Sequence, residues 1–345
     1  MLRFLVFADL HYKKGMYAVT LQHLEQILDR AQAEKVDFVL HAGDFSNDYH
    51  GSAELIKAYL NNENDLPVYG VYGNHELESK NNSMDYVTPL LTNDPQVIWG
   101  TADGKPGDGS IGYYYFEKSG HRMICLDTNY SYNETTGQWE HNHTASWGAP
   151  AGNLHADSLG PEQLAWLERV LTDAAEQGIS CILVSHAGFM EQWRHSPDTK
   201  AVQALIRSAN EKVPGTVKLC INGHYHTNHL AVQENVLYFD VNAAINGSWV
   251  PKKEQHYGKE HTFTLSSYDE AGNYQKSQTV PLTSLWQSVN THYFEKPLSA
   301  VVTITDDGKI TVTGSQTKWC YDVEPVEPLP GIMPWISDGD FEVKL

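Results

Sequence analysis

Phe38-Val39-Leu40-His41-Ala42-Gly43-Asp44-Phe45-Ser46-Asn47-Asp48 is a short apolar run that stops at Gly-Asp and gives way to a polar turn. A buried strand ending in a carboxylate plants a charged group at the open edge of a parallel sheet, where ligand sites of α/β folds collect. The same event recurs along the chain. Residues 4–8 end in Asp9-Leu10-His11, residues 68–72 in Gly73-Asn74-His75-Glu76, residues 181–185 in His186, and residues 217–221 in Asn222-Gly223-His224-Tyr225-His226. Each apolar run stops at Asp, His or Asn. Asp44 is the centre of this reading, with the other four strand ends delivering side chains around it.

The stretches between these runs alternate with them. Leu21, Leu24, Ile27, Leu28 and Ala31 recur at helical spacing within residues 17–33. Ser52 suits the N-cap of a helix running to Leu60. Gly160-Pro161-Glu162 starts another helix, with Pro at the first position and Leu164, Leu167, Val170 and Leu171 on its apolar face. A further helix covers 199–211. Strand and helix in alternation imply parallel βαβ units. Three hairpins are expected: 113–117 with 121–126, 229–233 with 236–241, and 301–305 with 309–313 across Asp306-Asp307-Gly308.

Residues 128–158 have no apolar period, yet they carry Tyr130, Tyr132, Trp139, His141, His143, Trp147 and His155. A loop of that length inside a compact domain is functional or disordered. Its aromatic content argues for an ordered rim or cap over the site. Residues 246–290 give no clear pattern, and the Pro-rich end reads as an extended surface tail.

The chain has 345 residues, 41% of them apolar, enough for a substantial core. Its formal charge of −19, from 43 acidic and 24 basic side chains, disfavours long nucleic acid, which needs clustered Lys and Arg. A small anionic substrate stays compatible, because bound cations would reverse the local field. No stretch approaches ~20 apolar residues, so no membrane-inserted helix is expected. Residues 2–8 run at once into Asp9 and read as the first core strand rather than a signal peptide; with Met1 as the native start, a cytoplasmic location is expected. Cys125, Cys181, Cys220 and Cys320 lack metal or redox spacing and read as core thiols.

Taken in order, Asp9-x-His11, Gly43-Asp44, Gly73-Asn74-His75-Glu76, His186 and Gly223-His224-x-His226 resemble the calcineurin-like metallophosphoesterase superfamily. The small bacterial phosphodiesterases are nearer than the Ser/Thr protein phosphatases, whose Gly-Asp-x-x-Asp-Arg-Gly block is missing. The resemblance implies an α/β fold of two stacked mixed β-sheets flanked by helices, the four-layer sandwich of that superfamily. One catalytic domain would span 1–315, with the hairpin at 299–315 extending a sheet and 316–345 as the tail.

The resemblance also implies two transition-metal ions, divalent or trivalent, about 3.5 Å apart. Cations that close repel, so a carboxylate must bridge them; by motif position this is Asp44. Asp9, His11 and His226 would complete one metal, and Asn74, His186 and His224 the other. Oxygen and imidazole donors without thiolate suit Mn, Fe, Zn, Co or Ni, with Mn, Fe or Zn expected. His75 would sit beside the metals, protonating the leaving group or holding a phosphoryl oxygen. Glu76 replaces the commoner Asp. Some relatives support this His with an Asp three residues after the bridge; here that position is Asn47, followed by Asp48. Purple acid phosphatases carry a metal-binding Tyr there, which is absent.

Asn47, Asp48, His143 and Arg194 are the expected substrate contacts, Arg194 because a guanidinium suits phosphate. His41 alternates with the Gly-Asp pair and is expected to face away from the metals. The implied reaction is hydrolysis of a small phosphate ester, a diester before a monoester, by a metal-bridging hydroxide with His75 assisting departure. An acid-phosphatase-type monoesterase is the alternative. A non-catalytic binding protein on the same fold is disfavoured, because every ligand position is filled.

Overall fold

The computed structural model describes residues 1–12, 19–46, 55, 57–62, 65–77, 91–105, 111–141, 157–190, 196–249, 262–268, 274–281, 291–320, 331 and 333–342. Strand β1 (Leu2–Phe7) leads through helix α1 (Leu21–Ala33) to β2 (Phe38–His41) and β3 (Val68–Gly70), and a single turn, α2 (Asn74–Leu77), follows. Then come β4 (Ile98–Trp99), β5 (Tyr114–Lys118), β6 (His121–Cys125), β7 (Tyr130–Asn133) and β8 (Gln138–His141). Helix α3 (Gly160–Gln177), β9 (Ser180–Ser185), α4 (Thr199–Lys212), β10 (Val217–Asn222), β11 (His229–Gln233) and β12 (Val236–Asp240) complete the second half of the site. The remainder is strand: β13 (Asn246–Trp249), β14 (Thr262–Tyr268), β15 (Tyr274–Pro281), β16 (Thr291–Tyr293), β17 (Ala300–Ile304), β18 (Lys309–Thr313) and β19 (Gly339–Glu342).

Two mixed sheets result. The first runs β19-β18-β17-β1-β2-β3 and the second β11-β12-β10-β9-β6-β5-β4. Apolar residues alternate along each strand of the second sheet between two cores, as the two-residue side-chain period requires. Met123, Cys125, Ile182, Val184, Leu219, Ile221, Leu237 and Phe239 face the first sheet. Ile124, Cys181, Leu183, Cys220 and Tyr238 face α3 and α4, meeting Leu167, Leu171, Val202 and Ile206. On the far side of the first sheet, α1 buries Leu24, Ile27, Leu28 and Ala31. Helix, sheet, sheet and helices are thus the four layers. Tyr69 of the first sheet stacks on Phe116 of the second, with ring centroids 3.5 Å apart and planes at 6°. Such pairs add about 0.5–1.5 kcal/mol beyond the area they bury.

Local chemistry sets the element ends. Thr20 and His23 close a reciprocal capping box on α1. Pro161 opens α3, and Gly178 at φ 68° closes it in the left-handed region. All three expected hairpins are present, as β5–β6, β11–β12 and β17–β18. The cysteines are unpaired, three of them buried.

The C-terminal segment differs from its expected course as a surface tail. Residues 339–342 form β19, antiparallel to β18 at the edge of the first sheet. Pairing satisfies the backbone groups that β18 would otherwise leave open. Among the described residues no helix is long and apolar enough to cross a membrane.

Strand direction positions the site. β1, β2 and β3 are parallel, and so are β6, β9, β10 and β12. Their C-terminal ends therefore share one edge of the sandwich. The two edges are tied at Ala8, whose carbonyl accepts the Ala244 N–H at 2.7 Å.

Candidate metal centre

Every strand that feeds this edge ends in a sharp reversal. Asp9, His11, Asp44, His224 and His226 have φ of 52°, 51°, 50°, 70° and 52°. The left-handed region is rare for residues with a Cβ and costs of order 1–3 kcal/mol each. The surrounding fold holds that strain, and the reward is that each side chain turns back over the strand ends. Two glycines make room. A Cβ on Gly43, itself at φ 89°, would collide with the His186 ring, and one on Gly73 would collide with Asp44.

The donor atoms converge. His11 Nε2 lies 3.0 Å from His226 Nε2, and His226 Nε2 lies 3.3 Å from Asp9 Oδ1. On the other side, His186 Nε2 lies 3.2 Å from Asn74 Oδ1 and 3.1 Å from His224 Nδ1. Asp44 Oδ2 stands between the groups, 3.6 Å from His11 Nε2 and 3.3 Å from His186 Nε2. The other oxygen of Asp44 accepts the His75 N–H at 2.9 Å, leaving Oδ2 for the shared position. Bonds of about 2.0–2.1 Å to a tetrahedral ion put donors roughly 3.3 Å apart, which is the spacing found. Asp9, His11 and His226 form one group that could hold an ion, and Asp44, His186 and His224 another. The residues therefore fit two ions with Asp44 between them.

Supporting contacts fix which ring atom faces inward. His186 Nδ1 lies 2.8 Å from the Ala42 carbonyl, so it is the donor and Nε2 is left to ligate. His224 turns Nδ1 toward His186, and its Nε2 lies 3.7 Å from Asp157 Oδ2. Glu76 accepts backbone N–H groups from Asp44, Ser46 and Gly73 at 3.1, 2.9 and 2.6 Å. One carboxylate thus fastens the turns after β2 and β3 to each other.

The electrostatics follow from burial and mutual proximity. Burial alone would push the Asp44 carboxyl up, but His186, His75 and His11 hold it well below the usual carboxylate range. Burial opposes a charged His186, yet Asp44 and Asp9 lift it to about 10. His11 and His224 are pushed down to about 4, chiefly by burial. Glu76 is raised to about 7 by burial and by Asp44 beside it.

His75 stands at the rim. Its side chain is 19% exposed, and Nε2 lies 3.9 Å from Asp44 Oδ2. Its ring meets His11 edge-on at 4.7 Å, and His11, Asp44 and His75 form a third group within reach of an ion. His41 faces away, stacked on Phe45 with centroids 4.6 Å apart and against Tyr59. The proposed substrate contacts Asn47, Asp48, His143 and Arg194 lie outside the described residues.

The motif reading missed three acidic groups near the edge. Glu76 was seen only as a variant, and Asp157 fell in an unpatterned loop. Asp127 carried the same signal as the ligands: an apolar run, residues 123–126, stopping at a carboxylate. It pairs with His141 at 2.6 Å. On the far side, His229 Nδ1 lies 3.1 Å from Asp240 Oδ2, and Asp240 accepts the Asn222 amide at 2.6 Å, bracing the turn before His224.

Comparison with known proteins places this geometry. The model of the calcineurin-like phosphoesterase family matches residues 2–228, more than half of the chain. No curated protein matches the chain. Among solved structures, a dimetal phosphatase from Danio rerio superposes with a TM-score of 0.56 at 16% identity, over 92% of this chain and 98% of that one. GAP50 of Plasmodium, the anchor in the inner membrane complex, gives 0.47 at 14% identity over 96% and 89%. The calcineurin-like phosphoesterase YfkN of Bacillus subtilis gives 0.40 at 14% over 81% and 90%. The likeness to the Danio rerio protein is one of fold. The family match runs through all five strand-end blocks, and on it this chain belongs to the calcineurin-like phosphoesterase family, a family of hydrolases.

Proposed function

We propose that the chain is a dimetal phosphodiesterase, with residues 1–315 as its catalytic domain and β19 as an added edge strand. The observation that carries this reading is Asp44 Oδ2, within 3.3–3.6 Å of a ligating nitrogen from each of two donor groups. In this assignment Asp44 bridges, Asp9, His11 and His226 complete one ion, and Asn74, His186 and His224 complete the other. The oxygen and imidazole donors suit Mn, Fe or Zn. Bound ions would supply Lewis acidity toward water and toward the phosphoryl oxygens.

The chain's own residues do the rest. Asp44 is kept ionised by the rings around it, so its carboxylate is available at neutral pH. Glu76 keeps the turns that carry Asp44 and Asn74 in register. His75, half-open at the rim, would hold or deliver a proton at the departing oxygen. The chain's charge of −19 favours a singly charged diester over a doubly charged monoester on approach. The sequence-level likeness to bacterial phosphodiesterases points the same way. The β7–β8 hairpin, with Asn47, Asp48, His143 and Arg194, would bound the substrate.

The test is hydrolysis of bis(4-nitrophenyl) phosphate against 4-nitrophenyl phosphate by metal-loaded protein. A higher kcat/KM for the diester is expected. Turnover of the monoester alone would replace this reading with a phosphomonoesterase.

A further inference from the structure

One strand over from the metal centre, a second ionisable pair occupies the same edge. β6 and β9 are parallel with Cys125 opposite Val184, and β9 and β10 pair with Val184 opposite Ile221. Two residues further on, Asp127, His186 and Gly223 end their strands side by side, about 4.8 Å from neighbour to neighbour. Thr128 ties the first two ends directly, its hydroxyl accepting the Ala187 N–H at 3.2 Å.

Asp127 is fully buried and fully engaged. Oδ1 accepts the backbone and side-chain N–H groups of Asn129 at 3.0 and 2.9 Å, and Oδ2 lies 2.6 Å from His141 Nε2. Gln163 of α3 clamps its backbone from both sides, accepting the Asp127 N–H at 2.9 Å and donating to its carbonyl at 2.7 Å. A carboxylate whose partners are all donors is held ionised, and it fixes a proton on His141 Nε2. His141 Nδ1 makes no hydrogen bond among the described residues, and the ring is 12% exposed. Tyr130 meets the ring edge-on at 4.7 Å, and Tyr72, two residues before Asn74, lies 6.4 Å away.

The hairpin that carries His141 is rooted at the metal centre. Tyr130 pairs with His141 on one side and bridges to Ser158 on the other, through hydrogen bonds of 3.0 and 3.2 Å. The residue before Ser158 is Asp157, which approaches His224. His141 therefore stands at a fixed distance from the ligands, on the flank built by Asn74 and His186.

We propose that His141 is a substrate-contacting residue, poised on Asp127, whose Nδ1 binds an anionic group on the ester arm that is not cleaved. This rests on the phosphodiesterase reading above and names the substrate class: diesters whose second arm carries a carboxylate or phosphate. A buried carboxylate behind the ring supports the imidazolium form, and its free N–H then complements an anion. The pair as a whole is neutral, so placing it at the rim of an acidic protein adds no charge. Asp127 is a positioning residue, acting through His141.

The test uses 4-nitrophenyl alkyl phosphodiesters with arms of two to four carbons, ending either in a carboxylate or in a methyl group. The metal-loaded wild type is expected to show a KM about tenfold lower for the carboxylate arm at one or more lengths. kcat should agree within threefold between the two arms. His141→Gln should abolish the difference while leaving the methyl-arm substrates near their wild-type KM. Asp127→Asn should shrink it, with bound metal retained. No advantage for the carboxylate arm at any length, or an advantage that survives His141→Gln, overturns the proposal. A fall in kcat common to both arms, with KM unchanged, overturns it in favour of a transition-state role. If no diester is hydrolysed, the proposed function fails on its own; calorimetric binding of the same two diester series still decides the role of His141 by the same comparison.

Discussion

The strand ends and the β7–β8 hairpin meet at one edge of the sandwich but are built on different terms. At the strand ends, ligating side chains are buried, sit at positive φ and are interlocked by Glu76. Little there can move without the rest. The hairpin is exposed over much of its length and is anchored only at its base, by Tyr130, His141 and Ser158. Chemistry that needs donors held to a few tenths of an ångström is placed on the first kind of structure. Recognition of a variable arm is placed on the second.

That contrast can be broken first at His75, the least buried of the assembled strand-end residues. His75→Ala should slow turnover most for diesters with strongly basic leaving groups, by ~10²–10⁴-fold, and least for nitrophenolate. Metal content should stay the same. A series of diesters graded in leaving-group acidity checks this; a uniform loss would reassign His75 to holding a phosphoryl oxygen, and loss of metal would make it a ligand.

The hairpin gives the complementary test. Replacing residues 131–140 by a short Gly-Ser turn should leave both metals and small aryl-diester turnover in place. Discrimination between small and larger diesters should fall by about tenfold, the scale of one or two lost polar contacts. Kinetics on a size series, with elemental analysis alongside, measures it. If metal binding disappears as well, the hairpin belongs to the rigid part of the site.

A smaller effect sharpens the account of the strand ends. His186 is raised to about 10, so in metal-free protein its ring carries a proton at neutral pH. A raised histidine keeps the charged form below that value, and a metal needs the neutral ring, so loading must expel the proton. His11 and His224, lowered to about 4, are already neutral there and release none. About one proton per chain should therefore leave on loading between pH 6 and 8, and affinity should strengthen as pH rises. Calorimetric loading in buffers of different ionisation enthalpy reads this directly. Loading without proton release would contradict the assignment of His186.

Much of the strand-end structure was legible because each block is a local event, an apolar run that stops at a polar residue. The family match and the two stacked sheets agree with that reading. What was not legible depends on approach between distant segments. Asp127 ends its run like Asp9 and Asp44, but its strand had been read as half of a hairpin, and its partner His141 arrives across a separate one. Glu76 looked like a conservative replacement until Asp44 and Ser46 folded over it. β19 was hidden by the Pro-rich composition around it, since edge pairing leaves a weak local pattern. The left-handed turns at Asp9, His11 and Asp44 are carried by residues that rarely adopt them, so no sequence rule announces them.

The central claim is that one carboxylate serves two ions. Elemental analysis of purified wild type, Asp9→Asn and Asp44→Asn, each loaded with the same metal, tests it most directly. Two equivalents are expected in the wild type, loss of mainly one in Asp9→Asn, and loss from both positions in Asp44→Asn. Two full equivalents retained in Asp44→Asn would contradict the account.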